Sequence, residues 1–90
     1  MDFEWDANKE AQNIAKHGMS FTDASEIFDG RDVFTYLSPR NDEHRLATVG
    51  MIHNRLWVVV WTPRGENLTR IISVHRADDG EARKYRSLFG

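Results

Sequence analysis

The segment LWVVVWT at residues 56–62 constrains the fold more than any other part of the chain. Its valines, tryptophans and threonine favour an extended strand over a helix. Turn residues flank it on both sides: His53 and Asn54 precede it, and Pro63 begins a turn after it. Because Asn tolerates the positive φ of a tight hairpin turn, we expect a neighbouring strand to fold back against this segment. The segment is therefore predicted to be the central strand of an antiparallel sheet.

Four further segments are predicted to be strands, because β-forming residues alternate or cluster in them. They are residues 3–5, 33–37, 45–52 and 68–75. A polar loop at residues 40–44, which follows Ser38 and Pro39, separates the second of these segments from the third. The last segment follows the central strand through a short turn, so we expect it to run antiparallel to that strand.

Three segments are predicted to be helices from the helical spacing of their apolar residues. The first begins after the N-cap residue Asp6 and ends at Gly18, which can adopt a left-handed C-cap. The second is short and ends near Gly30. The third opens with Asp78 and Glu81, which have the spacing of a capping box. The order β-α-α-β-β-β-β-α predicts one α+β domain of 90 residues, in which helices pack on an antiparallel sheet.

Composition narrows the function classes. The chain has no cysteine, which excludes disulfides and thiolate metal sites and fits a cytoplasmic setting. No apolar run approaches the roughly 20 residues of a membrane span. The net charge is −2, but three basic residues face eight acidic ones before residue 40, and nine face six from residue 40 onward. Composition alone favours a mixed, solvated surface, although the arginine-rich C-terminal part also suits phosphate binding.

In the segment RIISVHRA at residues 70–77, Arg70 precedes the β-forming residues, and His75 and Arg76 follow them. Alternation along a regular strand puts Arg70 and Arg76 on one face and His75 on the other. These groups therefore need a cleft at the strand end to act together, with Arg64 approaching from the preceding turn. Arginines could neutralise a phosphate there, and histidine could transfer a proton near neutral pH. Spacing alone favours the simpler alternative, in which Arg70 pairs with an acid and His75 is a partly exposed residue.

Other residues also have two interpretations. Lys16 and His17 end the first helix, where the helix dipole is a sufficient reason for positive charge, but they could also form a basic rim. Trp57 and Trp61 share a face and favour a core or partner interface over base stacking. The four histidines lack metal-ligand spacing, and there is no glycine-rich phosphate loop. An enzyme of this sequence is therefore expected to work without a metal ion or cofactor.

Several motifs together resemble the BrnT toxins, which are the toxin halves of BrnT/BrnA type II toxin–antitoxin systems. The motifs are FEWD at residues 3–6, KHG and SF within residues 16–21, RIIS at residues 70–73, Arg76-Ala77, and Glu81 with Tyr85. Each is weak alone, but the combination is specific and extends over nearly the whole chain.

The resemblance implies a RelE-like fold and a metal-independent endoribonuclease that cleaves RNA and inhibits translation. It also implies neutralisation by a ribbon-helix-helix, BrnA-like antitoxin, with operator DNA bound only through the antitoxin complex, and no membrane partner. The catalytic residues expected on this basis are Lys16, His17, Arg64, His75 and Arg76. The residues expected to bind RNA phosphates are Arg45, Arg70 and Arg83.

Two departures from the family pattern keep a second hypothesis open. Val74-His75 stands where the family commonly has Ala-Arg, and Ala82 stands where an arginine often follows the glutamate. We expect His75 to act as an acid or base in place of the missing guanidinium. The alternative is a catalytically weak, toxin-like protein that binds a ribbon-helix-helix antitoxin and so forms a DNA-binding repressor complex.

Overall fold

A computed structural model describes residues 1–38 and 44–90 of the chain. The predicted loop at residues 40–44, apart from His44, lies outside the described residues. The elements are β1 (Asp2–Glu4), α1 (Ala7–His17), α2 (Phe21–Ala24), a 3₁₀ helix (Ser25–Phe28), β2 (Val33–Leu37), β3 (Leu46–Ile52), β4 (Arg55–Pro63), β5 (Leu68–Arg76) and α3 (Asp79–Phe89). The predicted α+β order is confirmed, with the second half of the short second helix in 3₁₀ form.

The five strands form one sheet in the order β1-β5-β4-β3-β2, so β4 is the central strand as predicted. Strands β2 to β5 are an antiparallel meander, and β1 adds to β5 in parallel. The β3–β4 turn has φ 50° at His53 and 65° at Asn54, the conformation that a two-residue hairpin with positive φ requires. The Asp6 and Gly18 caps of α1 and the Asp78–Glu81 capping box of α3 are also confirmed.

A β-bulge in β5 corrects the predicted alternation of side chains. Ser73 pairs with Val60, whereas Ile71 pairs with Trp61, so Ile72 is one extra residue between two consecutive partners on β4. An extra residue reverses which face the following side chains occupy. The expectation that Arg70 and Arg76 share a face, with His75 opposite, is therefore wrong.

Hydrophobic cores form on both faces of the sheet. On one face, α2 and the 3₁₀ helix pack against the strands, and the buried side chains include Phe21, Ile27, Ile52, Trp57, Val59, Ile71 and Val74. Trp61 packs against the same cluster, which confirms the core interpretation of both tryptophans. On the other face, Ala77 between β5 and α3 and Tyr85 within α3 pack against buried Ala47, Val49 and Val58.

Helix α1 lies along the edge of β5. Strand β1 pairs with β5 only at residues 68–70, which leaves the later edge of β5 accessible to the helix. The buried side chain of Asn13 attaches the helix to this edge. Its Oδ1 accepts a hydrogen bond from the Val74 N–H at 3.1 Å, and its Nδ2 donates to the Met19 carbonyl at 3.3 Å. The C-terminal end of α1 therefore lies beside the C-terminal half of β5. Within the described residues, none of the helices combines the length and apolar character that a membrane crossing requires.

Candidate active site

Two histidines meet where α1 ends beside β5. His17 is the last residue of α1, because Gly18 ends the helix with φ 78°. His75 lies next to the end of β5, and the ring centroids of His17 and His75 are 6.2 Å apart with an angle of 51° between the planes. Both side chains are half-buried. We call these two residues the histidine pair.

The environment of His17 favours a neutral imidazole. Burial is the main cause that lowers the pKa of His17, and the nearby charges of Lys16 and His75 lower it further. A neutral imidazole near physiological pH can accept a proton, and a second titratable ring beside it can carry one. The arrangement therefore has the chemical means for paired acid and base catalysis.

A second group of charges gathers around Glu4 on β1. The Arg70 Nη1 lies 3.0 Å from the Glu4 Oε2, and the Arg64 Nε lies 3.6 Å from the same oxygen. Arg64 thus approaches Arg70 from the β4–β5 turn, but the two do not form one cleft with His75 and Arg76; the simpler prediction that Arg70 pairs with an acid is confirmed. One carboxylate between two guanidinium groups leaves this cluster, which we call the Glu4 cluster, with a net positive charge.

The bulge places the Glu4 cluster and His75 on the same face of the sheet. Arg70 pairs with Thr62 and His75 pairs with Val58, and these two β4 positions are an even number of residues apart. The two sites are separated by about 15 Å along β5, at roughly 3.3 Å per residue. Between them, the cross-strand pair of Val60 and Ser73 is half-buried. We call this part of the sheet, from the Glu4 cluster to His75, the open sheet face.

The remaining predicted residues lie elsewhere. Arg76 is on the opposite face, where its guanidinium carbon lies 5.6 Å from the centroid of the Trp57 ring. Arg83 is on the exposed surface of α3. Arg45 immediately precedes β3, and its carbonyl accepts a hydrogen bond from the Ser38 N–H at 2.8 Å. The structure thus brings His17 to His75 and Arg64 to Arg70, but it does not bring Arg76 to Arg70.

Comparison with known proteins agrees with the motifs. The family described as the ribonuclease toxin BrnT of type II toxin–antitoxin systems matches residues 5–81. The chain belongs to the BrnT family. A solved relative is the 1.1 Å-resolution crystal structure of the Brucella abortus ribonuclease toxin BrnT, which is 32% identical to this chain. That match covers 88% of this chain and 99% of the Brucella chain, with a TM-score of 0.68. A comparison with curated proteins finds no match.

Sequence reasoning about this BrnT-family chain missed two residues that position the site. Glu4 holds Arg64 and Arg70 together, but its role depends on the parallel pairing of β1 with β5, which no local pattern indicates. Asn13 fixes α1 against β5, and the spacing of apolar residues gives no signal for it, because the apolar positions Ala11 and Ile14 lie on another face of α1 and are exposed. Both roles arise from contacts between segments that are distant along the chain.

Glu81 connects α3 of this BrnT-family chain to the sheet. It accepts a hydrogen bond from the Asp78 N–H at 2.9 Å, as the capping box requires, and another from the Tyr36 hydroxyl on β2. Burial, and after it the hydrogen bond to Glu81, raises the pKa of Tyr36 well above the usual tyrosine range. Tyr36 therefore stays protonated and donates to Glu81, which supports the predicted capping role of that carboxylate. Among residues 1–38 and 44–90, no three His, Asp or Glu side chains form a group that could hold a metal ion.

Proposed function

We propose that this protein is the toxin of a type II toxin–antitoxin system and cleaves RNA in the cytoplasm without a metal ion, which inhibits translation. Membership of the BrnT family, whose description names a ribonuclease toxin, supports the general activity. The observation that carries the mechanism is the histidine pair at 6.2 Å. Two imidazoles at this distance can both reach atoms of one phosphodiester, since each hydrogen bond spans about 2.6–3.2 Å.

RNA itself supplies the nucleophile in the proposed reaction. Neutral His17 takes the proton from a ribose 2′-OH, and the 2′-oxygen attacks the adjacent phosphorus. Protonated His75 gives its proton to the 5′-oxygen as the P–O5′ bond breaks. The products are a 2′,3′-cyclic phosphate and a free 5′-hydroxyl, and the reaction needs no other reactant. The lowered pKa of His17 supports its assignment as the base.

Cationic side chains would stabilise the negative charge that builds up on the phosphate. Lys16 is next to His17 and is the cation closest to the histidine pair along α1. We assign Arg64 and Arg70, held by Glu4 on the open sheet face, to phosphates flanking the cleaved bond. The other predicted cations keep their proposed roles: Arg76 in charge neutralisation, and Arg45 and Arg83 in phosphate binding.

The mechanism is tested with purified, antitoxin-free protein, a long single-stranded RNA and excess EDTA. Wild type should cleave the RNA, and His17→Ala and His75→Ala should each lower the rate by about 10²–10⁴-fold. His44→Ala is the matched control, because His44 is exposed and lies outside the histidine pair. His75→Arg should also be slow, since arginine cannot donate a proton near neutral pH. If both His75 variants match wild type, His75 is not the acid.

The second candidate function is the catalytically weak toxin that binds a ribbon-helix-helix antitoxin in a DNA-binding repressor complex. The adjacent, exposed apolar side chains of Leu88 and Phe89 at the end of α3 favour a partner surface. Growth arrest on expression, relieved by co-expression of the antitoxin, would support the nuclease. A tight complex with the antitoxin, with no toxicity and no cleavage by folded wild type, would support the repressor partner instead.

A further inference from the structure

A groove runs along α3, between this helix and the β3–β4 hairpin. Its volume is about 370 Å³, and it is open to solvent. Residues of the hairpin, of the β5–α3 junction and of α3 line it, and they include Arg55, Arg76 and Arg86. We call it the α3 groove. It is distinct from the histidine pair and contains two arginines, Arg55 and Arg86, that the motif analysis did not assign.

The α3 groove is built to attract an anion. Its lining residues include Arg55, Arg76 and Arg86, together with Asp79. Within residues 1–38 and 44–90, no carboxylate forms an ion pair with Arg55, Arg76 or Arg86. The Arg76 guanidinium stacks over the Trp57 ring, which belongs to the core on the other face of the sheet, so Arg55 and Arg86 are the cations that a ligand in the groove would meet. Arginine is more weakly hydrated than lysine and suits phosphate oxygens, so a phosphate-bearing ligand fits this lining.

The α3 groove begins close to the histidine pair. Ala77 lines the groove and is two residues beyond His75, which is about 7 Å along an extended chain. The Ala77 N–H donates to the Leu56 carbonyl at 3.0 Å, so the strand pairing continues from His75 into the wall of the groove. An RNA chain bound at the histidine pair would therefore reach the groove within about one nucleotide.

The size of the groove suits a nucleotide. A volume of 370 Å³ is in the range of about 300–1,000 Å³ found for small-ligand sites. Leu56 and the half-buried Tyr85 ring provide apolar surface for a base or ribose beside Arg55 and Arg86.

We propose that the α3 groove binds the nucleotide next to the cleaved phosphodiester, with its phosphate on Arg55 and Arg86. The proposal of this subsite rests on the proposed RNA-cleaving function. It adds, to the residues that break the bond, the residues that hold the neighbouring part of the RNA chain. Phosphate contacts of this kind position the RNA and carry no base preference of their own.

The test measures binding of a fluorescent, fully 2′-O-methylated RNA oligonucleotide by anisotropy over a series of KCl concentrations. This probe lacks the 2′-OH nucleophile, so binding is measured without cleavage. Arg55→Gln with Arg86→Gln should weaken binding about tenfold or more, and should reduce the slope of log K against log salt by about 1.4, at roughly 0.7 per contact. Lys9→Glu is the charge-matched control: it changes the net charge by the same amount at an exposed position of α1.

If the double variant binds the probe with the affinity and salt slope of the wild type, as the Lys9→Glu control does, the proposal is overturned. Unchanged RNA binding together with lost antitoxin binding would also overturn it and would assign the groove to the protein partner. Cleavage of unmodified RNA is assayed in parallel. If wild type cleaves nothing, the nuclease proposal fails, but a selective loss of probe binding in the double variant still supports a phosphate site in the groove.

Discussion

Replacement of Asn13 by alanine should be among the most damaging single changes in α1. The Asn13 amide is buried, and it joins three parts of the structure: its own helix, the edge of β5 and the segment that leads into α2. Alanine keeps the helix intact, because it is the best helix former. The Val74 N–H and the Met19 carbonyl, however, both lose their partner. The change therefore isolates the contribution of the amide from that of the helix.

The expected cost follows from those two hydrogen bonds. A buried polar group left without a partner costs about 1–3 kcal/mol, so two of them cost roughly 2–6 kcal/mol. A chain of this length has a total stability of about 5–13 kcal/mol, at 0.05–0.15 kcal/mol per residue. The free energy of unfolding should thus fall by a large fraction. With a urea m-value of about 1–2 kcal/mol/M, the midpoint should decrease by 1 M or more.

Equilibrium urea unfolding, followed by tryptophan fluorescence and circular dichroism, measures this change. Gln12→Ala is the control, because Gln12 is the exposed neighbour on the same helix and its loss should cost less than about 0.5 kcal/mol. RNA cleavage by folded Asn13→Ala should also decrease, since Asn13 holds the end of α1 that carries His17. A midpoint equal to that of the control would refute the inference that Asn13 fixes α1 to β5.

Three further predictions concern packing and pH. Gly50→Ala should destabilise the protein by about 1–3 kcal/mol, because the new Cβ would lie 2.8 Å from a β2 side-chain carbon. Gly80→Ala is the control and should be neutral or stabilising, because its new Cβ would have no atom nearer than 3.5 Å. Thermal unfolding of both variants measures the difference. Because burial and Glu81 raise the pKa of Tyr36, stability should decrease as the pH rises above about 10, and Tyr36→Phe should reduce this dependence in urea titrations at several pH values. Because burial lowers the pKa of His17, the unfolded state binds more protons near pH 6.5, so stability should decrease as the pH falls through that value. A His17→Gln variant that loses the same stability at acidic pH would contradict this.

Much of the fold is predictable from short stretches of sequence. Asp6 and Gly18 bound α1, the Asp78 capping box opens α3, and the valine-rich segment forms the central strand. These features depend on local backbone preferences and on hydrogen bonds between residues that are close along the chain. The extended, antiparallel course of β2 to β5 follows from the turns that join them. The strand assignments were therefore accurate to within one residue at most ends.

The candidate site depends on contacts that local patterns do not encode. A single extra residue, Ile72, reverses the faces of β5 and places His75 on the side of Arg70 instead of the opposite side. The bulge leaves no distinct signature in RIISVHRA. Strict alternation therefore predicted the wrong neighbours for these residues.

The sequence alone determined the identity of the elements, the catalytic residue types and the family resemblance, because caps, turns and motifs are properties of neighbouring residues. Only the tertiary structure decided which of those residues meet. His17 reaches His75 because Asn13 fixes α1 to the edge of β5, and Arg64 reaches Arg70 because β1 adds to the sheet in parallel and brings Glu4 between them. Such contacts become favourable only when the whole chain is folded, since each one joins segments that are far apart in the sequence.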